Sequence, residues 1–240
     1  MPISTRDLRL LPDVDGLRAL LQSVAILDAI LSPRWEHRYY SFNSRWAKRE
    51  QMGSMRDGCG DDFFAIFNTS GCFLKGFAHE SPMSPYGRKP KAVWPGVLDK
   101  VPSAFAAALK EPAFSMEDTT FCVWRRYCDE SWQLGDIEFP GGTDPDGSQT
   151  LLAILDGNPK TYKAWADDYY ERRVNLAAAK QVYAHEPLTE ELVERLNADV
   201  TLKELAGDIE EIGYPGTTRR RTKRCTWPGR IPVSHRRQLR

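Results

Sequence analysis

No apolar run in this chain approaches the ~18 residues that a membrane-spanning helix needs, which excludes a helical membrane protein. The opening Met1-Pro-Ile-Ser-Thr-Arg-Asp7 lacks the charged-then-apolar layout of a secretory signal. Cysteine is sparse: five residues, an odd count, with neither a zinc-type spacing nor a CxxC pair. A reduced, cytoplasmic protein without a disulfide framework is expected. The common short motifs of hydrolases and nucleotide-binding proteins (GxSxG, GxxxxGK[ST], HExxH, GxGxxG) are missing as well, and no cofactor is expected. The chain also contains no internal repeat.

What it does contain is ordinary for a globular protein: 41% hydrophobic and 28% charged residues in 240. That length suffices for a sizeable core. The formal net charge of zero hides a division. Nine of the 33 Lys/Arg lie in residues 214–240, which hold no Asp or Glu; 24 basic against 33 acidic residues remain, a body at −9 and a tail at +9. An acidic body disfavours nucleic acid and favours another protein, a basic one, as partner. Nucleic acid could be reached only through the tail, residues 219–240, where no folded module supports base recognition.

The organising stretch is Gly58–Ser81. Two Phe-rich runs, Phe63–Phe67 and Cys72–Phe77, flank Asn68-Thr69-Ser70-Gly71, where Asn and Gly can supply positive φ. This predicts a β-hairpin at the buried middle of a sheet. Around it, Leu17, Leu20, Leu21, Val24, Leu27 and Leu31 form a helical stripe over 13–31, and residues 35–43 read as a first strand. Arg45–Met55 reads as a short strand or an irregular lead into the Gly58–Gly60 turn. Residues 82–96 are a loop, Val97–Leu109 a helix, Thr119–Cys128 a strand and Trp132–Phe139 its antiparallel partner. Residues 151–155 are a short helix or strand. Helices follow over 159–173, capped by Asn158, over 189–196, and from the capping box Thr201-Leu-Lys-Glu204 to Gly213. The fold class is therefore α+β: a central antiparallel sheet of five or six strands packed by helices, a helical C-terminal part, and a disordered basic tail. The expected boundaries are one domain over 1–213 and a flexible tail over 214–240.

Asp61, Asp62, His79 and Glu80 form the best candidate site, because they bracket the hairpin and should meet at one end of the sheet. Carboxylates around one imidazole suit acid–base or metal-dependent hydrolysis. The plainer reading, a structural or partner-contact rim, carries more weight, and the assignment of catalytic and metal-binding residues is then none. Asp144-Pro-Asp-Gly147 lacks the later ligands of a calcium loop and reads as a turn. Trp124, Trp132, Trp165, Tyr169 and Tyr170 read as core rather than a ligand pocket.

Residues 60–81, together with Trp94–Val97, Trp132–Pro140 and Ile209–Pro215, resemble a pattern found in bacterial proteins of no assigned activity. That resemblance spans about residues 13–215 and brings no catalytic residues with it. The hairpin followed by His79-Glu80 also resembles the SUKH superfamily, α+β proteins many of which are immunity proteins against bacterial toxins. The Asn-Gly-Gly-type segment of that superfamily is absent ahead of the strands, and the C-terminal helices are additional. The resemblance implies a non-enzymatic, protein-binding bacterial protein.

Overall fold

The computed structural model describes residues 2–215; the basic tail expected beyond them lies outside the described residues. Within them the chain forms one antiparallel sheet and six α-helices. The strands are β1 (Tyr40–Ala47), β2 (Glu50–Arg56), β3 (Asp62–Asn68), β4 (Gly71–Phe77) and β5 (Phe121–Arg126), paired in sequence order as a meander. The helices are α1 (Val14–Leu31), α2 (Ser148–Leu151), α3 (Pro159–Tyr169), α4 (Leu176–Tyr183), α5 (Glu190–Leu196) and α6 (Ala206–Ile212). The fold class is α+β, as the gathering of strand patterns in the first half, with helices around and after them, predicts.

The Phe-rich ribbon is the middle of the sheet. β3 and β4 pair through Asp62↔Phe77, Phe64↔Lys75, Ile66↔Phe73 and Asn68↔Gly71, with Thr69 and Ser70 as the two-residue turn. Gly71 sits at φ +150°; Asn68 does not need positive φ, and its side chain instead accepts from Ser70 N at 2.8 Å. Strand alternation sends Phe63, Ala65 and Phe67 to one face and Phe64, Ile66 and Phe73 to the other, so each face nucleates its own apolar cluster.

The first face is covered by helices. α1 lies on β1 and β2, where Gly53 lets it approach: a Cβ there would meet Leu21 Cδ1 at 2.8 Å. α3, α4, α5 and α6 complete that layer. α6 also runs along β1, with Ser44 Oγ donating to Glu211 O at 2.8 Å, which screens that sheet edge. The second face is covered by the excursion between β4 and β5, through Met83, Val97, Phe105, Ala108 and Phe114.

Several boundaries differ from expectation, each for a local reason. The first strand begins at Tyr40; residues 35–37 form a 3₁₀ turn, and Arg45–Met55 divides between the end of β1 and β2. Val97–Leu109 is not an α-helix. Lys100 takes φ +62°, Pro102 removes a donor, and only 3₁₀ turns at Ser103–Phe105 and Ala108–Lys110 form. Trp132–Phe139 pairs with β5 at one bridge, Trp124↔Gln133. It then leaves the sheet because Gly135 packs onto Gly96, where a Cβ would sit 1.9 Å from the carbonyl oxygen. α4, capped by Asn175 onto Ala178 N at 3.1 Å, was not expected at all. The capping box forms, Thr201 N donating to Glu204 Oε2 at 2.8 Å, but one turn ahead of α6.

Candidate functional site

The connections β2–β3 and β4–β5 leave the sheet at the same end, where Tyr39 enters β1. Arg56 N donates to Tyr39 O at 2.9 Å, so Tyr39, Arg56, Asp62 and Phe77 form the last row of the sheet. Beyond that row the Asp57–Asp61 loop is fixed by one carboxylate: Asp57 Oδ1 accepts from the amides of Cys59, Gly60 and Asp61 at 2.7, 3.0 and 2.9 Å. Gly60, at φ +123°, leaves room for the His79 ring, whose Cγ a Cβ would meet at 3.2 Å.

Three of the four expected residues gather here. Asp61 Oδ1 accepts from His79 N at 2.8 Å and lies 2.6 Å from His79 Nδ1. His79 Nε2 faces outward, 3.7 Å from the largely exposed Glu80 carboxylate. The Asp61 hydrogen bond holds the imidazolium together and raises the His79 pKa above 6.5. Asp62 does not join them. Period-2 alternation turns it to the opposite face, where its carboxylate stands 2.9 Å from the ammonium of fully buried Lys75. Desolvation raises the Asp62 pKa despite that partner.

The arrangement can orient and charge one imidazole. Among the described residues, no group of three or more His, Cys, Asp or Glu side chains is placed to hold a metal ion. The larger surface grooves lie elsewhere: about 500 Å³ beside Arg18, Arg49 and Tyr127, about 600 Å³ beside Arg88, Trp94 and Phe139, and about 670 Å³ beside Trp124 and Gln133. Asp61, Asp62, His79 and Glu80 line none of these three. Asp144 and Asp146 hold their own chain, Asp144 accepting from Gln149 N and Thr150 N at 2.9 Å and buried Asp146 from Thr5 Oγ1 at 2.5 Å. They form the turn that the sequence suggests.

What sequence reasoning missed is a ring of exposed aromatics around the same sheet end. Trp35 is 57% exposed, with the Arg56 guanidinium 5.8 Å from its ring. Tyr86, 62% exposed, stands 6.0 Å from Phe77. Tyr169, 43% exposed, stands 5.0 Å from Tyr39 and stacks on Trp165 at 5.2 Å. Trp124 and Trp132 are core, as expected, and Trp165 is half-buried, whereas Tyr169 is surface. Nothing in the local sequence separates Trp35, Tyr86 and Tyr169 from buried aromatics: Trp35 opens an aromatic-rich run that also holds buried Tyr40 and Phe42, Tyr86 lies in a Pro-rich loop, and Tyr169 ends a helix.

No protein-family model, no curated protein and no solved structure matches this chain.

Proposed function

We propose that this sheet end is a docking surface for a basic protein and that the chain works as a non-enzymatic protein-binding module, an immunity-type factor directed at a basic bacterial toxin being one form of it. The observation that carries the reading is the gathering of Trp35, Tyr86 and Tyr169 with the carboxylates of Asp57, Asp61 and Glu80 around one end of the sheet. Solvated Trp and Tyr are the residues that dominate binding energy once a partner desolvates them. The acids around them add attraction for a cationic partner, which acts mainly on the association rate. The Arg56 stem and guanidinium lie against Trp35 and Phe64, which keeps the ring of Trp35 presented.

The acid–base hydrolase alternative retains Asp61, His79 and Glu80 but loses Asp62, which faces Lys75 on the other side of the sheet.

Quantitative capture from the native cell tests the docking reading. The partner retained by the wild-type chain is expected to be lost, by 100-fold or more on the scale of ~1–2 kcal/mol per aromatic anchor, when Trp35, Tyr86 and Tyr169 are together replaced by Ala. Tyr127→Ala, at the far end of the sheet, should leave it bound. Equal retention by the triple variant would refute the docking surface.

A further inference from the structure

Beneath the aromatic corner lies a buried carboxylate that no cation balances. Asp28, in the last turn of α1, has no exposed surface and forms no ion pair among the described residues. Its two oxygens serve two different elements. Oδ1 accepts from Tyr162 Oη of α3 at 2.6 Å, and Oδ2 accepts from the amides of Tyr39 and Tyr40, at 3.0 and 2.8 Å, where β1 begins. These are the segments that carry the exposed corner. Tyr39 touches Trp165 and Tyr169 at ring distances of 4.9 and 5.0 Å, and Tyr162 touches Trp165 at 5.5 Å. One carboxylate thus ties both halves of that corner to α1.

We propose that Asp28 is a proton-binding site that couples pH to the arrangement of Tyr39, Trp165 and Tyr169, and so regulates the docking surface; the regulatory half rests on the reading of that sheet end as a docking surface. The step moves one proton, from water to Oδ1. Tyr162 then turns from donor to acceptor, and its own hydroxyl proton needs a new acceptor. The buried hydroxyls of Tyr170, which leans on the same carboxylate, and of Tyr183 stand close enough to respond to it. On the other side, a neutral carboxyl is a weaker acceptor, so the Tyr39 and Tyr40 amide bonds loosen and the start of β1 with them.

The groups facing Asp28 are tyrosines throughout: Tyr39 and Tyr40 from β1, Tyr162, Tyr169 and Tyr170 from α3 and the residue after it, and Tyr183 from α4. Further out lie Asp57 and Asp61 beside Tyr39, Asp156 beside Tyr183, Arg172 donating to Leu31 O at 3.3 Å, and Arg38, which is held by Asp208. With no cation opposing it, burial pushes the Asp28 pKa up to about 6, into the range cells traverse.

NMR titration of the full chain from pH 4.5 to 8, with no partner present, tests the coupling. The Asp28 carboxyl carbon is expected to titrate near pH 6, and the amides of Tyr39 and Tyr40 and the ring of Tyr169 should move with the same midpoint. Asp28→Asn should abolish that shared transition. Should that variant fail to fold, Tyr162→Phe removes a donor to the charged form and should raise the midpoint by roughly 0.5–1 pH unit. A carboxyl midpoint below 4.5, or a titration that leaves the Tyr169 ring unmoved, would overturn the proposal. Loss of partner capture as a premise would leave this titration intact, so the two readings fail separately.

Discussion

Lys75 of β4 has no exposed surface and holds its ammonium 2.9 Å from the Asp62 carboxylate and 2.9 Å from the carbonyl oxygen of Asp118. The rings of Phe64 and Phe77 flank it at 5.3 and 5.9 Å, and Asp118 passes the network on to Lys91 at 2.5 Å. This chain of alternating charge fastens the β4–β5 excursion to the second face of the sheet. Removing one partner of a buried pair strands the other, which costs far more than the pair contributes over apolar residues. Lys75→Ala is therefore expected to lose roughly 3–5 kcal/mol, and Lys75→Met with Asp62→Leu to recover most of it. Urea unfolding measures both; a Lys75→Ala variant within about 1 kcal/mol of wild type would show that the network carries no load.

The Asp61–His79 pair has a pH signature of its own. Its imidazole pKa is raised in the folded state, so the pair stabilises the fold at and below the unfolded value of about 6.5 and loses that contribution as pH rises through the folded pKa. The ring is partly exposed, so the effect on stability is small, and the titration itself is the better readout. The His79 midpoint should lie above 6.5 and fall back toward it in Asp61→Asn. A midpoint unchanged by that substitution would mean that the 2.6 Å contact is not present in solution.

Gly76 and Phe121 face each other across β4 and β5, and the contact leaves no room for a side chain. A Cβ on Gly76 would fall 2.1 Å from the Phe121 ring, which is wholly buried. Gly76→Ala should destabilise by about 1–3 kcal/mol through overpacking, whereas Gly141→Ala, with nothing within 4 Å, should stay within about 0.5 kcal/mol. Similar melting temperatures for the two variants would contradict the packing.

These residues also show how far a sequence can be read. The hairpin was legible because five phenylalanines alternate through β3 and β4 around a two-residue turn, a pattern that only a two-sided sheet satisfies. α1 was legible because its leucine stripe runs unbroken for four turns. The Val97–Leu109 stretch misled because its apolar spacing is helical while its backbone punctuation, Gly96 and Pro102, is not; tertiary burial of Val97, Phe105 and Ala108 accounts for the spacing. In the site, the meeting of Asp61 with His79 follows from hairpin topology. The departure of Asp62 follows from the same period-2 rule, which puts Asp62 on the face of Phe64 and Lys75. Exposure of Trp35, Tyr86 and Tyr169 was not legible, because an aromatic at a loop or a helix end looks the same in sequence whether it is tucked in or presented.

Asp28 sets the last prediction, one of stability rather than docking. Burial raises its folded pKa to about 6, against about 3.9 in the unfolded chain. The native state thus holds a proton through a range where the unfolded state has released it, and stability falls as pH rises between those values. The two-unit gap corresponds to roughly 3 kcal/mol, present below pH ~4 and lost above pH ~6. Asp28→Asn keeps an oxygen for the Tyr39 and Tyr40 amides and offers an amide donor to the Tyr162 hydroxyl, so it retains the geometry without the charge. Its expected outcome is a chain as stable as wild type or more so at pH 7, with the downward slope between pH 4 and 6 removed. Denaturant midpoints across that range decide it: parallel curves for wild type and variant would place the charge cost of α1 somewhere other than Asp28.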